Sequence, residues 1–202
     1  MVKFLKLKDV VMIALLTALY TVIYMIAGSL AMVFGPYGHS ISAGICGLLT
    51  GVVVYFMARK IGKFGQFMLM QAIVLILMSI MGAGYLPWFI TSMIGALLAD
   101  LIASRVSKPA VWKIAVASGF MHVGQSLGAI LPSMFFMESY KEEWIARGQD
   151  PAAMEQMVHY QSGILGTSAI VVVFILAVAG IYLGHVILKK HFEKKEMEAK
   201  AA

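Results

Sequence analysis

The stretch VVMIALLTALYTVIYMIAGSLAMVFGPYGHSISAGICGLLTGVVVYFMA, residues 10–58, holds no Asp, Glu, Lys or Arg in 49 positions. A charged side chain at the centre of a bilayer costs about 2.5–3.5 kcal/mol, and one spanning helix needs about 20 apolar residues. The run is therefore long enough for two spans and an uncharged turn, and the helix breakers of Phe34-Gly35-Pro36-Tyr37-Gly38-His39 place that turn. A second uncharged run, residues 64–99, divides in the same way at Gly82-Ala83-Gly84-Tyr85-Leu86-Pro87, and residues 114–137 and 156–188 supply one span each. The expectation is an all-α integral membrane protein, one transmembrane domain over residues 1–202 with six helices at about 10–33, 40–58, 64–82, 87–104, 110–132 and 163–188.

Composition agrees: 61% of the 202 residues are hydrophobic, 13% are charged, and mean hydropathy is +0.88. An even number of spans puts both termini on one side, and 14 of the 16 basic residues fall there, from Lys3, Lys6 and Lys8 through Arg59, Lys60, Lys63, Arg105, Lys108 and Lys113 to the five lysines after Leu188. Only Lys141 and Arg147 fall on the other face. The positive-inside rule makes the termini cytoplasmic. The formal charge of +6 carries no basic, aromatic-interleaved polar block of the kind that binds nucleic acid, and the single Cys46 excludes an internal disulfide. A basic start before an apolar run also fits a signal peptide, but an h-region is about 7–15 residues long, so the run is read as a retained first helix.

The outer connection between helices five and six, residues 138–162, is much longer than the other turns. Asp150-Pro151 reads as an N-cap followed by proline at the first helical position, and Tyr140 to Ala146 reads as a short helix ended by Gly148. A helical outer lid and a solvated tether both fit this segment.

Catalytic signals are weak. Gly124-Gln125-Ser126-Leu127-Gly128 matches the serine-hydrolase pattern G-x-S-x-G, but it lies inside an uncharged helix, away from any strand-to-helix elbow, and His122 on the same helix has no orienting third group. Gly124 and Gly128 read more simply as a packing face of small residues. No H-E-x-x-H pair and no G-x-x-x-x-G-K-[ST] phosphate loop is present, so the chain is expected to be no enzyme and to carry no cofactor or metal of its own. Asp100, the one carboxylate within the spans, reads either as a cation or proton site or as a side chain reaching toward Arg105.

Small residues form two further stripes, Ala14 and Ala18 continued by Thr21 on helix one, and Gly95, Ala99 and Ala103 on helix four. Either suits packing inside the bundle or docking on another membrane protein. The basic N-terminus leading into Ala14-x-x-x-Ala18, the six spans, the polar outer loops after helices one and five and the missing ATP motif together resemble the substrate-binding S components of energy-coupling factor transporters. The run from Lys8 to Gly35 and the segment Gly82-Ala83-Gly84-Tyr85 are similar to the S-component family first noted in treponemes and streptococci, also labelled MptD-like. That resemblance implies capture of a small-molecule micronutrient outside, docking through helix one on a transmembrane T component, and drive from two cytoplasmic ATPase subunits. A stand-alone facilitator or ion-coupled carrier is the alternative, for which broken helices and midplane charge are expected.

The candidate substrate contacts are Tyr37 and His39 in the first outer turn, Tyr85 and Trp88 in the second, His159 and Tyr160 in the long loop beside Tyr140 and Trp144, and His122 and Gln125 down helix five. Interfacial Tyr and Trp also serve as membrane anchors. Few fixed charges flank these turns, which suits a flat, partly apolar ligand: a vitamin-like heterocycle stacked on the rings, or a tetrapyrrole such as haem with iron ligated by His39, His159 or His122.

Overall fold

Because lipid provides no hydrogen bonds, a chain this apolar must pair its backbone within each segment, and helices do so. The computed structural model describes residues 5–104 and 108–201, and no strand occurs among them. Lys3 and Arg105 lie outside the described residues. The helices are α1 (Leu7–Ala31), α2 (Gly35–Lys60), α3 (Gln66–Ile80), α4 (Leu86–Ala103), α5 (Val111–Phe135), α6 (Met137–Ala146), α7 (Pro151–Gln161) and α8 (Gly163–Ala201), with a 3-10 turn at Met32–Phe34. Among the described residues, four segments are long and apolar enough to cross a membrane: Leu7–Lys60, Leu86–Ala103, Val111–Phe135 and Gly163–Lys190. Gln66–Ile80 is a shorter apolar helix.

The first of those segments is a hairpin. The chain reverses at Gly35, whose φ of +62° with ψ of −151° only glycine adopts readily, and Pro36 then sits at the start of α2, where its missing N–H costs nothing. The turn is tighter than the sequence suggests, and Tyr37 and His39 belong to the first turns of α2. Pro132 likewise fails to end helix five, which runs on to Phe135.

Close contacts set the directions. A methyl group on Gly51 would overlap the Gly180 backbone, and Gly44 meets Val173 as Gly47 meets Ala177, so α2 and α8 run parallel with their backbones touching. Gly124 and Gly128 are the packing face expected of them, abutting Thr91 and Trp88 of the antiparallel α4. The stripe of Gly95, Ala99 and Ala103 is buried in the bundle. Ala14 and Ala18 are exposed, whereas Thr21 is buried with Thr17 and leaves the stripe.

At the end where α1 begins and α2 finishes, Lys63 pairs with Asp9 and Arg59 Nη1 donates to Pro109 O at 3.4 Å, tying three chain segments together. Beside them, α3 starts at Gly65, which has no side chain to cap it. Asp100 of α4 does so instead: Oδ2 accepts from the Met68 amide at 2.9 Å, and Oδ1 from the Phe67 amide at 3.3 Å and Ser104 Oγ at 2.7 Å. The carboxylate is fully buried and engaged with α3 and Ser104, while Arg105, the partner expected from the sequence, lies outside the described residues. The partial positive charge at a helix N-terminus favours an anion at this place. Asp100→Ala leaves one buried and one part-buried amide unpaired and should lower stability by about 2 kcal/mol, with Asp100→Asn losing less. Denaturant unfolding in detergent micelles measures this, and an unchanged midpoint for the alanine variant would show that the cap is unimportant.

Candidate functional site

At the end opposite Asp100, a cavity of about 200 Å³ opens among the helix ends. Tyr24 of α1, His39, Ser40, Ser42 and Ala43 of α2, and Met78 of α3 line one part of it. Ala83 and Tyr85 of the α3–α4 turn, Trp88 of α4, and Gln125, Ser126, Gly128 and Ala129 of α5 line the rest, and Tyr140 and Trp144 of α6 cover it. None of these lining residues is an Asp, Glu, Lys or Arg.

The cover is aromatic. Ring centroids lie 5.5 Å apart for Tyr85 and Tyr140, 5.9 Å for Tyr85 and Trp144, and 6.4 Å for Tyr140 and Trp144, the range of favourable tilted contacts. Arg147 latches it: Nη1 donates to Gly84 O at 2.6 Å, the guanidinium lies 5.0 Å from the Trp144 ring centre, and Glu143 pairs with the same group. Burial pushes the Tyr140 hydroxyl above its usual range, so it stays protonated.

The helical reading of residues 138–162 holds, and the tether reading does not. Asp150 Oδ1 accepts from the Ala153 amide at 2.8 Å with Pro151 opening α7, and Gly148 leaves α6 at φ +93°. Lys141 joins the two short helices by pairing with Glu155 at 2.9 Å and Glu138 at 3.1 Å, and these carboxylates, Glu155 first, raise its pKa. Met154 and Val158 are buried, and Ser133 Oγ donates to Gln161 Oε1 at 2.8 Å, which seats α7 on α5.

Beneath the cavity lies a chain of hydrogen bonds whose directions can be worked out. Ser118 O can only accept, so His122 Nδ1, 2.8 Å away, carries a proton. In the neutral ring Nε2 then accepts from Tyr20 OH at 3.1 Å. The Tyr20 oxygen in turn accepts from Gln125 Nε2 at 3.1 Å, and the second N–H of that amide goes to Gln71 Oε1 at 2.7 Å. Gln125 Nε2 is saturated. Gln125 Oε1 is buried with no partner, and so is Trp144 Nε1 above it.

Of the sequence candidates, the cavity brings together His39, Tyr85, Trp88 and Gln125, with Tyr140 and Trp144. The others lie elsewhere. His122 is fully buried beneath it and engaged at both nitrogens. Tyr37 faces α8, its hydroxyl 3.1 Å from Ser168 Oγ and its ring against Tyr160. His159 and Tyr160 line a separate shallow groove with Pro36 and Glu155. No cluster of three His, Cys, Asp or Glu side chains that could hold a metal occurs among the described residues. Ser126 Oγ donates to Ser40 O at 3.1 Å, an ordinary helix-to-helix bond. Sequence reasoning missed Tyr24, Ser40, Ser42 and Met78; the last three lie within a turn or two of the glycine-rich breaks, and Tyr24 lies farther down α1.

A family model described as hypothetical bacterial integral membrane protein (Trep_Strep) matches residues 7–194. The chain belongs to this family. No curated protein and no solved structure matches it. As a Trep_Strep protein with several long apolar helices, it is a multi-pass bacterial membrane protein. In this Trep_Strep chain the Arg147 latch gives a direct test of the cover. Arg147→Ala should raise amide exchange in residues 137–146 about tenfold while leaving α7 and α8 unchanged. Hydrogen exchange measured by mass spectrometry reads this, and unaltered α6 protection would mean that its apolar contacts alone hold it.

Proposed function

We propose that the protein is the substrate-capturing S component of an energy-coupling factor transporter, taking up a micronutrient. In this reading six helices cross the membrane (α1 to α5 and α8), both termini are cytoplasmic, and α6 and α7 form an outer lid. The chain performs no chemistry. A transmembrane T component and two ATPase subunits supply the work, since the sequence has no phosphate loop.

The observation that carries the proposal is the two-sidedness of α1. Ile13, Thr17 and Tyr20 are buried in the bundle and Tyr24 reaches the cavity, whereas Ala14 and Ala18 sit exposed among Leu15, Leu19 and Val22. A small-residue stripe that its own bundle leaves open is suited to close approach by a second membrane protein. An ion-coupled carrier calls for a free charge near the midplane, and the engagement of Asp100 with α3 argues against it. His39, His122 and His159 stand in three different surroundings, which favours a heterocycle over haem.

Ala14→Trp and Ala18→Trp should abolish co-purification with the T component and ATPases, and transport with it, while the isolated variants keep their helical content and thermal midpoint. Co-expression with the neighbouring transport genes followed by affinity purification measures this. Recovery of the wild-type chain without any ATPase, or full uptake by both variants, would reject the proposal.

A further inference from the structure

Six buried side-chain nitrogen or oxygen atoms lack a partner among the described residues, and two of them, Gln125 Oε1 and Trp144 Nε1, belong to residues lining the cavity beneath α6. A buried polar atom left unpaired costs about 1–3 kcal/mol, so two on residues that line one cavity are a standing cost that a ligand's hydrogen bonds would offset. Their polarities are opposite and fixed. An indole nitrogen can only donate. The Gln125 amide is held by Tyr20 and Gln71 with its nitrogen saturated, so it offers an acceptor.

We propose that the cavity recognises an uncharged lactam-type heterocycle of one or two rings, whose ring carbonyl accepts from Trp144 Nε1 and whose N–H donates to Gln125 Oε1. The proposal rests on the capture reading of this same cavity and names what is captured. Size follows from volume: a cavity of about 150 Å³ holds benzene, and this one measures about 200 Å³. That leaves room for one substituted ring or two fused ones. Neutrality follows from the lining, which offers no formal charge to meet a charged ligand taken from water. Planarity follows from Tyr85, Trp88, Tyr140 and Trp144, which present ring surface for stacking. His39, also on the wall, adds one group able to donate or accept.

The test uses the solitary protein in lipid nanodiscs, with equilibrium dialysis against quinolin-2-one, N-methylquinolin-2-one, quinoline-2-carboxylate and naphthalene. Quinolin-2-one should bind, its N-methyl derivative at least about tenfold more weakly, and the carboxylate not measurably, because a site built around hydrogen bonds rejects ligands that leave them unmade. Trp144→Phe, which keeps a ring and deletes the N–H, should weaken quinolin-2-one about tenfold and leave naphthalene within about twofold. Equal affinity for the two quinolinones, equal loss of naphthalene in Trp144→Phe, or binding of none of the four would overturn the proposal, the last because water then meets both atoms. Partner co-purification from the same cells separates the two readings. A complex with ATPases but no lactam selectivity removes only the ligand assignment, whereas lactam selectivity without any ATPase partner removes only the transporter reading.

Discussion

In lipid a polar atom has no water to fall back on, and most of this molecule's side-chain hydrogen bonds answer that constraint. Thr17, Thr21, Thr50 and Thr91 bond back to carbonyls one turn earlier in their own helices, at 2.7–3.0 Å. Polar groups too long for that solution pair across helices. Gln66 Nε2 donates to Ser104, Ser104 to Asp100, and Asp100 closes the open end of α3. Six buried atoms are left unpaired among the described residues, and those of Gln125 and Trp144 are the two whose residues line the cavity.

The same constraint divides the bundle lengthwise. Toward the Asp100 end the core is filled by Met57, Phe67, Met70 and Ile114, all fully buried. Toward the other end the polar network of His122, Tyr20, Gln125 and Gln71 forms a floor, and above it packing gives way to the cavity. The glycine seam between α2 and α8 lets those two backbones touch, and Gly124 and Gly128 do the same for α5 against α4. With its walls fixed in this way, only the cover is left to short helices held by a few polar contacts and a small aromatic cluster.

Helix α1 joins the two halves of the functional reading. Tyr20 is one residue of the floor and Tyr24 one residue of the wall, so any change at Gln125 bears on this helix directly. Its opposite face carries Ala14 and Ala18, which its own bundle leaves exposed. One helix thus carries both the inner contacts of the cavity and an outward surface suited to a partner.

The helical class, the hairpin near Gly35, the α6 and α7 pair and the end at which the charges gather were legible from residue order alone. Each depends on local physics: charge-free length, a glycine where φ is positive, or an Asp-Pro start. What residues far apart do together was not legible. Asp100 needed α3 to arrive beside it uncapped, and the sequence offered only a nearby basic loop as a partner. The rotation of α1 decided that Ala14 and Ala18 face outward while Thr21 turns in, and a stripe of small residues reads alike in either case. Tyr37, His159 and Tyr160 look equivalent to Tyr85 and Trp144 in sequence, since all are aromatic residues or histidines at helix ends away from Asp100. The packing of α7 against α2 and α8 turned the first three away from the cavity, and the docking of α6 over Tyr85 turned Trp144 into it. The free oxygen of Gln125 is the most tertiary fact of all, because it is fixed by partners 54 and 105 residues away along the chain.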